Sequence, residues 1–205
     1  MLKDLTLQKF AEAVASDDAV PGGGSVSALA ASLAASLSAM VARLTLKKEK
    51  FANVAHQMEA LESVARELQA NLMDAVDRDA DSYRQVLSAF RLPKSTEDEK
   101  QARSQAIQRA FKHAAQVPLE VAGLALQVMD LAERAVQQGN PDMITDAAVG
   151  LLMARSAALG ALMNVRINLS SIKDKTLTDE IQASIDLLKN EVLEKEQACL
   201  AKLQL

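Results

Sequence analysis

From about Phe51 to Phe90, apolar residues recur at helical spacing without a glycine or proline to interrupt them. That is far beyond the ~11–12 residues of an average helix, so this segment sets the length scale of whatever the chain builds. The rest of the chain agrees with a bundle of such rods. Of 205 residues, hydrophobic types make up 49% and aromatics only 2%, tryptophan is absent, and there are 4 prolines and 7 glycines. So few breakers and β-favouring aromatics argue against a sandwich, a barrel or a doubly wound sheet. The length suits one domain with a real core, so the expectation is an all-α, single-domain helical bundle with long antiparallel helices over residues 1–205.

Periodicity and punctuation predict seven helices. A short one covers about Leu5 to Ser16, followed by the loop Asp17–Gly24. A second runs from Ser25, its expected cap, to about Leu46, and the third is the Phe51–Phe90 segment, stopped at Leu92-Pro93. Thr96 and Glu99 have capping-box spacing and open a fourth helix, which fades near Gln116 before Pro118 opens a fifth. Gly139-Asn140-Pro141 ends that one, Thr145 caps a sixth from Asp146 to about Ser170, and the last starts at Thr178.

The second helix carries no charge between Val20 and Arg43. Its serines dilute the hydrophobicity and Arg43 falls inside the ~20 residues a membrane span needs, so a central, fully packed helix is the better reading. Val26, Leu29, Leu33, Leu37, Met40 and Leu44 form its large-residue stripe, with alanine and serine on the other faces.

Two helices break their own pattern. The inward row of the third reads Met58, Leu61, Ala65, Leu68, Leu72, Val76, Asp79, Tyr83, Val86 or Leu87, and Phe90, so a carboxylate sits in an apolar stripe. Burying an ionised Asp costs several kcal/mol, roughly, unless it is paired or hydrogen-bonded. Tyr83, one turn on, is a candidate partner, and periodicity alone weighs a satisfied structural Asp79 equally with a functional one. Asp74, Asp77 and Asp81 fall off the row and read as solvated. On the sixth helix, Asp146, Gly150, Ala154, Ala157, Ala161, Asn164 and Asn168 form a small, polar-ended face, open either to a neighbouring backbone or to a flat ligand.

Pro21-Gly22-Gly23-Gly24-Ser25 precedes a helix and offers free N–H groups at its positive end, suited to an anion or oxyanion or, more simply, to a tight turn. It is neither a P-loop nor a dinucleotide fingerprint. Lys47, Lys48 and Lys50, and Lys94 after Pro93, are candidates to meet an acidic ligand. A net charge of −4 argues against nucleic acid as a partner. One cysteine, Cys199, and two distant histidines, His56 and His113, suggest neither a disulfide framework nor a metal site, and no role is assigned to them. The charged start Met1-Leu-Lys-Asp-Leu-Thr6 suggests a cytoplasmic protein.

Pro21–Val26, Met40-Val41 with Leu44-Thr45, Asp77–Tyr83, Leu92–Lys94, Val117–Leu119, Gly139-Asn140, Thr145-Asp146 and Asn164–Leu169, in that order and spacing, resemble the cyclodeaminase/cyclohydrolase family. The resemblance spans nearly the whole chain. It implies an all-helical homodimer acting on one-carbon derivatives of tetrahydrofolate, with no tightly bound cofactor. It places the Asp-rich element on Asp77 and Asp79, the aromatic on Tyr83, a Ser-Asp pair on Thr145 and Asp146, and an Asn pair on Asn164 and Asn168. Thr145 departs from the expected serine, and Lys47 stands where relatives often have glycine.

The implied reaction is hydrolysis of 5,10-methenyltetrahydrofolate to 10-formyltetrahydrofolate, with Asp79 as base and Tyr83 orienting it. Gly22, Gly23, Gly24, Ser25, Lys48, Lys94, Asp146, Asn164 and Asn168 are then substrate-binding candidates. Cyclodeamination of formiminotetrahydrofolate is the alternative, disfavoured because no formiminotransferase segment is seen. A helical scaffold without catalysis is the alternative of another class.

Overall fold

Alanine makes most of this core. In the computed structural model, which describes residues 1–203, six α-helices form: α1 Leu7–Val14, α2 Gly23–Leu46, α3 Ala55–Phe90, α4 Glu97–Gln138, α5 Ile144–Leu169 and α6 Lys175–Leu200. No strand occurs among the described residues. Helices α2 to α5 run up and down as a bundle in which α2 packs against α3, α4 and α5, and α6 lies along α4 and α5. Ala28, Ala31, Ala34, Ala35 and Ala42 of α2 are wholly buried, as are Ala154, Ala158 and Ala161 of α5. Such small side chains let helix backbones approach closely, and a Cβ added at Gly160 would sit 2.7 Å from the Ser27 hydroxyl.

Helix α2 is central as expected, but it is not packed all round. Its alanine and serine faces are the buried ones, whereas Val26 and Leu33 are exposed and Leu29, Leu37, Met40 and Leu44 half-buried. The large stripe cannot point inward, because three neighbours already crowd the small faces. Helix α5 behaves likewise: Gly150, Ala154, Ala157 and Ala161 are buried, with Gly150 set against the Ala34 carbonyl, so the small face takes a neighbouring backbone rather than a flat ligand. Val149, Leu152, Met163 and Ile167 point outward beside the exposed stripe of α2. Both α2 and α5 are long and apolar enough to cross a membrane, yet each buries its small-residue face in the bundle.

The predicted break at Pro118 does not occur; the fourth and fifth expected helices are one, α4. A proline inside a helix removes one backbone donor and so frees the carbonyl four residues earlier, here that of Ala114. The Asn168 side-chain amide fills the gap, donating to the Ala114 carbonyl at 2.8 Å and to the Asn164 carbonyl at 3.0 Å. Thus a polar residue on α5 makes the proline in α4 tolerable.

Several caps also differ from expectation. Helix α2 begins at Gly23 with Gly22 as N-cap, leaving Ser25 within the first turn. A 3-10 turn over Pro141–Met143, capped by the Asn140 side chain, leads directly into α5, so Thr145 is not its cap. Asp174 rather than Thr178 starts α6, and α1 is shorter than predicted, with Thr6 as N-cap. The Thr96–Glu99 capping box forms as read. On α3, Phe90 and Tyr83 are 47% and 37% exposed, so the inward row loses its aromatic end.

Replacing Asn168 by Ala is expected to lower stability by about 1–2 kcal/mol in urea unfolding, because the Ala114 carbonyl loses its partner. Adding Pro118→Ala in the same chain restores a backbone donor there and should recover most of the loss.

Candidate active site

The antiparallel pairing of α2 and α3 brings the glycine turn beside the middle of α3, and the carboxyl-terminal part of α5 closes the third side. Between them lies a cavity of about 210 Å³, lined by Gly22, Gly23, Gly24, Asp79, Tyr83, Asn164 and Asn168 among others. Seven residues that the sequence singled out therefore meet at one place.

Asp79 sits at its base, half-buried. The Ser25 hydroxyl lies 2.9 Å from its Oδ2, and the Ser25 backbone N–H also donates to the carboxylate. Burial raises the carboxyl above the ordinary aspartate value, and the two Ser25 donors partly oppose that rise. No ion pair joins Asp79 to a cation among the described residues, and the cavity lining contains no Lys, Arg or His.

The glycines have a steric role. A Cβ at Gly24 would fall inside the Asp79 carboxyl group, and one at Gly23 would meet the Asn164 amide nitrogen at 3.1 Å. The positive end of α2 is therefore turned towards the protein's own carboxylate, which takes the place of the external anion expected for this turn.

Tyr83 lines the cavity, but none of the hydrogen bonds among the described residues joins it to Asp79; the role of partner to Asp79, which the sequence suggested for Tyr83, falls to Ser25. The Asn164 amide donates to the Gly160 carbonyl at 2.9 Å, and Asn168 spends both amide hydrogens on backbone carbonyls. Asn168 thus offers the cavity an acceptor oxygen, whereas Asn164 keeps one N–H and an acceptor. Ser82, Ala114 and Ile167 also line the site. Ile167 was legible only as a helical neighbour of the two asparagines.

Lys48, Lys94 and Asp146 are not brought to this cavity. Lys48 follows α2 at its far end, about 35 Å of helix from Ser25, and pairs with Asp142 at 2.6 Å. Asp146 begins α5, about 27 Å along the axis from Asn164. Lys94 is exposed in the connection between α3 and α4. Thr45 and Asn140 build that far end, the Asn140 N–H donating to the Thr45 hydroxyl at 2.8 Å in a buried contact.

Asp77, expected in solvent, is buried, and its carboxylate accepts the Leu2 backbone N–H at 2.5 Å and the Lys3 N–H at 3.4 Å. It pins the amino-terminal turn and does not reach the cavity. His56 and His113 are exposed, Cys199 is buried with its thiol pushed up by burial, and no cluster suited to a metal ion occurs among the described residues.

Comparison with known proteins gives a consistent result. The family model described as formiminotransferase-cyclodeaminase matches residues 6–187. A methenyltetrahydrofolate cyclohydrolase of Methylorubrum extorquens is 33% identical over 175 residues, covering 85% of this chain and 84% of that protein. A formimidoyltransferase-cyclodeaminase of Rattus norvegicus is 33% identical over 97% of this chain, which spans only 36% of that longer protein. The crystal structure of a formiminotetrahydrofolate cyclodeaminase from Thermotoga maritima superposes with a TM-score of 0.86 at 26% identity, covering 97% of this chain and 96% of the other.

Gly24→Ala should lower stability by about 1–3 kcal/mol through overpacking against the Asp79 carboxyl group. In the Asp79→Ala background the same change should cost little, and thermal unfolding of the four proteins checks this.

Proposed function

The chain belongs to the formiminotransferase-cyclodeaminase family, and on that premise we propose that it hydrolyses 5,10-methenyltetrahydrofolate to 10-formyltetrahydrofolate. One observation carries the reading: a carboxylate held in a cavity whose lining supplies it with no cation. The substrate's amidinium carbon is cationic, so ligand and site complete each other's charge balance, and the arriving cation offsets the effect of burial on Asp79. The cyclohydrolase of Methylorubrum extorquens is 33% identical to this chain, against 26% for the Thermotoga maritima cyclodeaminase, which supports this order of the two readings.

In the reaction, water adds to the methenyl carbon while Asp79 takes its proton, giving a neutral hydroxy adduct. The protonated Asp79 then returns that proton to N5 as the C–N5 bond breaks. The adduct's hydroxyl proton leaves to solvent, the formyl C=O forms, and one proton is released overall. Asn164 and Asn168 present amide groups to the polar edge of the bicycle, and Tyr83 borders the entrance. A cavity of about 210 Å³ accommodates the ring system and leaves the rest of the molecule outside. Cyclodeamination would use the same carboxylate for attack by N10 and departure of ammonia, which makes it the second reading.

A second copy of the chain is the proposed occupant of the outward apolar face of α2 and α5. That face joins Val26 and Leu33 to Val149, Leu152, Met163 and Ile167, and α2 carries no charge from Val20 to Arg43. If the twofold axis lies across the helices, the Lys48–Asp146 end of one copy stands beside the Asp79 cavity of the other.

Purified protein is expected to bleach methenyltetrahydrofolate absorbance without releasing ammonia from formiminotetrahydrofolate; the reverse result selects cyclodeamination, and failure of both removes the enzyme reading. Asp79→Asn should reduce the rate by about 10²–10⁴-fold. Because the base must be ionised and its carboxyl is raised by burial, kcat/KM should fall as pH drops through a value above the ordinary aspartate range. Sedimentation should report a dimer that Ile167→Asp dissociates. If residues are shared across it, mixing inactive Asp79→Asn and Asp146→Ala subunits should restore part of the activity.

A further inference from the structure

Ser25 is wholly buried, and its hydroxyl faces two acceptors at once: Asp79 Oδ2 at 2.9 Å and the Val76 backbone carbonyl at 3.0 Å. One hydroxyl has one hydrogen, so it cannot donate to both. The geometry nevertheless suits each protonation state of Asp79. When the carboxyl group is ionised, Ser25 donates to Oδ2. When it is protonated, the acid donates to Ser25 Oγ and the Ser25 hydrogen turns to Val76, whose carbonyl has a second lone pair beyond its helix bond.

We infer that Ser25 is a positioning residue that holds Asp79 in one place through both halves of a proton transfer, by switching its own hydroxyl between Asp79 and the Val76 carbonyl. A base that accepts a proton from water and returns it within one turnover needs a partner of this kind, since a fixed donor would oppose the protonated form. The role rests on the proposed function for its purpose, but the switch itself is a property of the Asp79–Ser25–Val76 contact.

Beyond the hydroxyl and the backbone N–H of Ser25, the cavity lining gives the carboxyl group no charged partner. From α2 the cavity receives Gly22, Gly23 and Gly24, from α3 Ser82 and Tyr83, from α4 Ala114, from α5 Asn164, Ile167 and Asn168, and from the preceding loop Ala19 and Val20. Among the described residues, Tyr83 is the one other titratable side chain in that lining.

The test compares wild type with Ser25→Ala and with Ser25→Cys, whose thiol fills the space but donates weakly. Carbon NMR of aspartate-labelled protein follows the Asp79 titration, identified by its loss in Asp79→Asn. With valine carbonyls also labelled, the Val76 carbonyl resonance of wild type should move with the Asp79 midpoint, as the Ser25 hydrogen turns to it on protonation, and that movement should be lost in Ser25→Ala and weakened in Ser25→Cys. In both variants kcat should fall more than KM rises. Should the wild-type Val76 carbonyl stay unmoved through the Asp79 titration, or move as much in folded Ser25→Ala, the hydroxyl does not switch and the inference is overturned. The NMR result does not require turnover, so a wild type inactive on both folates would remove the functional reading and leave this one standing.

Discussion

Close approach between α2 and its neighbours is the constraint on which both core and site depend. With alanine, serine and glycine on three sides, α2 can touch α3, α4 and α5 together, and that proximity sets Gly24 directly against the Asp79 carboxyl group. A helix with leucine on those faces would hold its neighbours farther off. The Ser25 hydroxyl would then fall short of Asp79, and the carboxylate would be left among apolar side chains without a donor. Fold and chemistry are thus joined at one contact, between the first turn of α2 and the middle of α3.

That contact also explains how a carboxylate survives in such a place. Burial disfavours the ion, whereas the positive end of α2 and two donors from one serine favour it, and the outcome is a carboxyl group raised but still held by hydrogen bonds. A lysine nearby would stabilise the ion further, but for the proposed reaction it would repel the cationic substrate and lower the basicity that proton transfer needs. Partial stabilisation by neutral dipoles lets the fold hold Asp79 while leaving it the basicity which that proposal requires.

Much of this was legible in the sequence because helical periodicity is a local property. The long α3, the Thr96–Glu99 capping box and the anomaly of Asp79 in an apolar row all follow from spacing alone. What was not legible depends on contacts between distant segments. Pro118 looked like a break, since nothing near it in sequence announces that Asn168 will satisfy the Ala114 carbonyl. Asp77 looked solvated because its partners, the Leu2 and Lys3 amides, lie at the far end of the chain. The expectation that α2 is packed all round failed for a related reason: only contacts with distant segments decide which faces are covered, and here the crowded faces have room only for small residues.

The open face of α2 also bears on the residues that stay apart. Motif residues gather at both ends of the bundle, Gly22–Ser25, Asp79, Asn164 and Asn168 at one and Lys48 and Asp146 at the other, and a rigid helix keeps these groups separate within one copy. The face between them is the one that α2 and α5 leave apolar. A twofold contact through that face, its axis across the helices, is the simplest geometry that joins opposite ends without bending a helix. It would also cover Val26 and Leu33, the exposed members of the α2 stripe. If the proposed dimer forms, the outward stripe and the separated motif residues are one feature, because alanine packing within the copy leaves those side chains free for a contact between copies.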